Sequence, residues 1–121
     1  MRKIVLNDAN KVELNWLVAK AMGLDVSHKD PKKYWARTDW DGDDDSPIPD
    51  YTGDWNELGP KLKELRISVT QKHDGWAAAG VYDINDEVHE WFLDHDPLRA
   101  ICKCVVGEKL KVSLFEKVGV I

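Results

Sequence analysis

The sequence predicts an α+β domain in which a three-stranded antiparallel meander is sandwiched by an N-terminal helix, a middle helix and a C-terminal helix, with a long irregular acidic loop. Three observations carry this reading. Apolar residues recur at helical spacing near both ends, at Leu14, Leu17, Val18 and Ala21 and at Leu98, Ile101, Cys102, Val105 and Val106. From Arg66 the period changes to two. Within that stretch Asp74-Gly75 is a hairpin turn signal. At 121 residues, one domain over 1–121 is expected.

The first helix is expected over residues 10–22, capped by Asn7, Asp8 or Asn10 and ended by Gly23. Residues 24–53 read as irregular, because Pro31, Gly42, Pro47, Pro49 and Gly53 interrupt any periodicity. Stretches of that length without structure are uncommon in compact domains. Tyr34, Trp35, Trp40, Ile48 and Tyr51 argue that part of it packs. A second helix starts at Asp54, whose spacing from Glu57 is that of a capping box with Asp in place of Ser or Thr. Leu58, Leu62 and Leu65 form its stripe, and Gly59-Pro60 is expected to distort its first turn.

Ile67 and Val69 then alternate with Ser68 and Thr70 in a first strand. Trp76 to Tyr82 returns as the second, its three alanines suited to close packing by a helix. Asp83-Ile84-Asn85-Asp86 turns the chain and Val88 to Leu93 forms the third strand. Asp96 and Pro97 open the last helix as N-cap and first helical residue; it ends at Gly107 or near Leu110. The extension 111–121 is apolar enough to pack as a strand with no assigned place. The expected core joins Leu17, Val18, Leu62, Trp76, Ile101 and Val105.

Charge is distributed unevenly. Between Asp39 and Pro60 lie eight carboxylates, Asp39, Asp41, Asp43, Asp44, Asp45, Asp50, Asp54 and Glu57, and no Lys or Arg. The chain has 22 acidic and 17 basic residues, net −5, so 14 acids face 17 bases outside this window. One segment therefore makes the chain acidic, and Trp40, Tyr51 and Trp55 are interspersed in it. Solvated acids alone need no such rings, whereas aromatic residues often anchor contacts. The candidate binding residues are thus Asp39, Trp40, Asp41, Asp43, Asp44, Asp45, Asp50, Tyr51 and Trp55. The plainer reading is that the rings pack on the domain and the aspartates keep the loop soluble.

Other chemistry is weakly signalled. Asp39, Asp41, Asp43 and Asp50 occupy positions 1, 3, 5 and 12 of a calcium-loop frame, but the glycine stands at position 4 and position 12 is Asp in place of Glu. His28, His73, His89 and His95 are scattered without ligand spacing, so no metal and no cofactor are expected. Cys102 lies on an apolar helical stripe, where thiols are usually inert packing groups. Asp94, His95 and Asp96 read more simply as turn and cap residues than as general acids or bases. Arg99, Lys103 and Lys109 form a basic strip of the kind that is usually a solvated face. No phosphate-binding, nucleophile-elbow or dinucleotide motif is present. Cys102 and Cys104, two apart, are expected to stay reduced, which with the short apolar start suggests the cytoplasm. No membrane partner is expected, and net acidity disfavours direct binding to nucleic acid.

Three segments carry a resemblance: LNWLVAKAMGL (Leu14 to Leu24), GDWNELGPKLKEL (Gly53 to Leu65) and DPLRAICKCVV (Asp96 to Val106). In this order the chain resembles the NinX-like phage proteins and the related phage ABA-sandwich domain. The matching positions are Val18, Ala19 and Gly23, then Trp55 and Trp76, then Pro97, Arg99, Ala100, Ile101 and Cys102. The resemblance spans roughly residues 12–110 and implies a phage or prophage accessory protein with an α/β sandwich core. No established activity comes with it, so no catalytic residue is carried over. Neither the tail 111–121 nor the run Asp43–Asp45 belongs to the resemblance.

The expectation is a non-enzymatic accessory protein in the host cytoplasm that binds a host or phage protein through its acidic-aromatic segment. One rival is a DNA mimic that occupies a nucleic-acid-binding protein. Another is a small metal-dependent hydrolase using the same aspartates, which lacks a ligand set on regular elements.

Overall fold

The computed structural model describes residues 3–30, 33–37, 45–80 and 91–119. The N-terminal strand β1 (Lys3–Val5) runs through a 3-10 turn (Leu6–Asp8) into helix α1 (Lys11–Ala21). Asn10 is the cap: its Oδ1 accepts from the Glu13 N–H at 2.8 Å, and Glu13 Oε1 accepts from the Asn10 N–H at 3.0 Å. This reciprocal pair satisfies two of the amides that a helix start leaves open. Gly23, at φ +88, ends the helix and lets the Leu24 N–H return to the Ala19 carbonyl at 3.0 Å.

Residues 24–53 are not one long irregular loop. Strands β2 (Asp25–Asp30), β3 (Lys33–Arg37) and β4 (Asp45–Pro47) form an antiparallel sheet in the order β2-β3-β4. Pro47 lies in β4, opposite Trp35, on the edge strand where a missing N–H is tolerated. Strands β2 and β4 are mostly polar, and β3 groups Tyr34, Trp35 and Ala36 together without alternation, so a period of two could not announce them. Residues 38–44, the densest part of the acidic run, lie outside the described residues.

The middle helix is broken as Gly59-Pro60 requires. Helix α2 (Trp55–Leu58) passes through a 3-10 turn (Gly59–Lys61) into helix α3 (Leu62–Leu65). The expected meander follows: β5 (Ile67–Lys72), a turn at His73-Asp74, β6 (Gly75–Gly80) and β7 (Phe92–Asp94), paired antiparallel in that order. The expected turn Asp83–Asp86 lies outside the described residues, as does the start of the third strand.

Helix α4 (Pro97–Leu110) is the centre of the packing. Asp96 caps it, its Oδ1 accepting from the Leu98 and Arg99 N–H groups at 2.8 and 3.2 Å. Eight consecutive residues, Ala100 to Gly107, are buried, so more than two turns have no solvent face. One side meets β6 and β7, another meets α1, and α1 packs in turn against β2 and β3. Ala77, Ala78 and Ala79 of β6 are fully buried, as their small size foretold. The helix runs past Gly107 to Leu110. Gly107 is needed for room, because a Cβ there would enter the Phe92 ring and stand 2.9 Å from the Val112 carbonyl. Beyond it, β8 (Lys117–Gly119) pairs antiparallel with β1, which places the tail against the opposite end of the chain.

Of the expected core, Leu17, Val18, Ile101 and Val105 are buried in one cluster, whereas Leu62 and Trp76 pack on it half-buried. Ile101→Ala should therefore lower the free energy of urea unfolding by about 2–5 kcal/mol. Gly107→Ala, which would stabilise an open helix by about 1 kcal/mol, should instead destabilise this one by about 1–3 kcal/mol through overpacking. Thermal unfolding of the two variants checks both signs.

Candidate functional site

The acidic-aromatic segment divides when it is folded. Asp39, Trp40, Asp41, Asp43 and Asp44 lie outside the described residues. Asp45 pairs in β4 with Arg37 of β3. Asp50 is drawn into a turn that locks onto α1. Its Oδ1 accepts from Asn15 Nδ2 at 3.2 Å and from Thr52 Oγ1 at 3.3 Å, and its Oδ2 lies 3.3 Å from Lys11 Nζ. Asn15 Oδ1 in turn accepts from the Thr52 N–H at 2.9 Å. Partial burial pushes the Asp50 pKa up, but the hydrogen bonds from Asn15 and Lys11 outweigh it and leave the carboxyl below its ordinary value.

The two described rings of the segment go opposite ways. Tyr51 joins the core, and burial, reinforced by Glu57, pushes its phenol up to about 12. Trp55 stays 50% exposed. Its indole covers Gly59 so closely that a Cβ there would enter the ring. The neighbouring Asp54 caps α2, accepting from the Asn56 N–H at 3.0 Å. Of the two described rings, the exposed one is thus a tryptophan packed on Gly59, with exposed Asp54 before it and half-buried Glu57 after it.

A second feature lies at the Gly75 end of the β6–β7 pair. There a groove of about 850 Å³ runs between the His73-Asp74 turn, the β7 residues and α4. Trp76, Trp91 and Leu93 supply its apolar walls. Lys72 Nζ sits 5.0 Å from the centroid of the Trp91 ring. His95 Nδ1 is 3.0 Å from the Asp74 carbonyl oxygen, which anchors the imidazole at the rim.

The floor of this groove is a charge cluster. Asp94 Oδ2 accepts from Lys103 Nζ at 2.8 Å and from Arg99 Nε at 3.2 Å. Arg99 Nη2 reaches the Ala9 carbonyl at 2.9 Å, and Lys103 Nζ the Asn7 and Leu93 carbonyls at 3.2 and 3.3 Å. Lys103 is only 3% exposed, so the expected solvated basic strip is corrected here. A charge this deep must be paired, and Asp94 with two carbonyls pairs it. Sequence periodicity put Lys103 on the helix but could not show that the helix is covered on every side. In the trio Asp94, His95 and Asp96, Asp94 Oδ1 accepts from the Asp96 N–H at 3.0 Å and Asp96 caps α4, the turn and capping bonds expected of them.

A family model described as Bacteriophage P22, NinX matches residues 6–109. The chain belongs to the NinX family. It is a phage protein, and the matched span runs from the 3-10 turn before α1 through almost all of α4, leaving β8 outside. No curated protein matches it.

In this NinX-family chain the two cysteines are buried on α4. Burial drives the Cys102 thiol pKa upward and that of Cys104 up to about 12, which suppresses the reactive thiolate. Among the described residues no group of three or more His, Cys, Asp or Glu is placed to hold a metal. No helix among them is long and apolar enough to cross a membrane.

The charge cluster makes a pH prediction. Burial alone would raise the Asp94 pKa, but Lys103, the Asp96 N–H and Arg99 together bring it below its ordinary 3.8. A carboxyl lowered on folding contributes stability that is complete above the unfolded value and lost as pH falls through the folded one. Asp94→Asn leaves two cations without their partner and should cost about 3–5 kcal/mol at neutral pH. Urea unfolding should show that deficit constant down to about pH 4 and shrinking below it, as the wild-type carboxyl protonates.

Proposed function

We propose that this NinX-family protein acts without catalysis, by binding a host or phage protein in the host cytoplasm through the acidic-aromatic surface that contains Trp55. The observation that supports this reading is the exposure of Trp55. A ring 50% open to solvent, held against Gly59 and flanked by Asp54 and Glu57, is a preorganised anchor. Tryptophan is strongly enriched among residues that dominate binding energy, and a ring already fixed loses little entropy on contact. The sequence segment from Asp39 to Pro60 carries eight carboxylates and no Lys or Arg, a composition that would steer a basic partner toward it. Asp50, though its side chain is 47% exposed, is already paired with Lys11 and bonded to Asn15, which weighs against a row of free carboxylates imitating phosphates.

Affinity capture from host lysate tests the proposal. The wild-type chain should retain a specific partner. Trp55→Ala should weaken that retention by about tenfold or more, equivalent to about 1.4 kcal/mol. Changing Asp43, Asp44 and Asp45 together to Asn should weaken it most at low salt and leave the unfolding temperature nearly unchanged. Retention at wild-type level by both variants rejects the surface.

A further inference from the structure

The groove at the Gly75 end of the β6–β7 pair belongs to neither the acidic surface nor the core. Its volume of about 850 Å³ lies within the size of small-molecule sites, which run to roughly 1,000 Å³. Leu93, paired to Ala77 in β7, keeps 50% of its surface exposed beside it, and Trp91, just before that strand, keeps 36%. An open indole next to an open leucine is a platform on which a flat ring can lie. Lys72 already places its ammonium over that indole at 5.0 Å. That ammonium covers one face of the indole, so a ligand's negative group beside Trp91 would have to draw it aside and leave that face to the ring.

Among the lining residues Lys72 and Lys103 balance Asp74 and Asp94, and Arg99 behind Asp94 adds one further positive charge. Asp94 is compensated twice, by Lys103 and by Arg99, so these three groups together carry one positive charge. Asp74 lies 3.9 Å from His73 Nε2 with both side chains almost fully exposed, so solvent screens the two alike and the rim charge nearest the indole is Lys72. Lys72, His73 and His95 complete the rim. Lys103 donates to Asp94, Asn7 and Leu93, so its influence on a ligand is through its field, and direct contacts fall to the rim.

We propose that this groove binds a small planar aromatic anion, its ring against Trp91 and Leu93 and its negative group toward Lys72, His73 and His95. A nucleotide and an aromatic carboxylate share that chemistry. Titration calorimetry of the full chain with adenosine monophosphate and with indole-3-acetate separates them, with adenosine and inorganic phosphate as probes of the ring alone and the anion alone. At least one ring-bearing anion should bind, and both half-probes should bind at least about tenfold more weakly. Lys72→Ala and Trp91→Ala should each weaken binding by about tenfold, with Lys72→Gln used in place of any variant that loses its cooperative unfolding transition. Binding of the nucleotide alone assigns a nucleotide site, and binding of the carboxylate alone an aromatic-acid site. No heat from either anion at roughly millimolar concentration, adenosine binding as tightly as its monophosphate, or variants that bind like wild type each overturn the proposal. Trp55→Ala should leave this titration unchanged, which keeps it distinct from the protein-binding reading.

Discussion

Lys103 is the point on which the packing turns. Its ammonium is carried into the interior by a helix that is covered on all sides, and a charge there is tolerated only if it is paired and hydrogen-bonded. The groups that meet this demand come from distant parts of the chain. Asp94 belongs to the edge of the meander, Leu93 offers the carbonyl beside it, and Asn7 offers one from the N-terminal 3-10 turn. Arg99 extends the same link to Ala9. Satisfying one buried cation thus fixes the start of the chain, the last strand of the sheet and the central helix relative to one another.

Close approach is the second constraint. Gly107 stands in the last turn of α4, within the helix, where a glycine costs helix stability, because Phe92 of β7 lies against it. The alanines of β6 serve the same approach from the sheet side. Gly59 plays a related part under Trp55: it leaves room for the indole, and with Pro60 it splits the middle helix into two single turns. The tryptophan is therefore exposed and fixed at once, which a plain amphipathic helix would not have produced.

These constraints leave two surfaces of different chemistry. Trp55 stands half in water, with Asp54 before it and Glu57 two residues after it in the chain. At the Gly75 end of β6 and β7, cations surround open apolar walls, and the carboxylate beneath them is already over-compensated. The two lie on different elements, one on the broken middle helix and the other at the end of the β6–β7 pair.

Helix α1 with its Asn10 cap and Gly23 stop, the Asp96-Pro97 start of α4, the hairpin at Asp74-Gly75 and the break at Gly59-Pro60 were all legible in the sequence. Each is a local event, decided by dihedral preference or by a side chain reaching its own backbone a few residues away. The β2-β3-β4 sheet was not legible, because its strands are held by main-chain pairing and carry little hydrophobic alternation. Nor was the pairing of the tail with β1, which joins opposite ends of the chain. For the candidate site, the sequence identified an acidic stretch with aromatic residues but could not sort them. Only tertiary packing decided that Tyr51 turns inward, that Trp55 stays out and that Asp50 is tied to α1. The groove was invisible beforehand for the same reason. Its walls come from separate elements, and Lys103 reads as a surface charge until the layers on every side of α4 are in place.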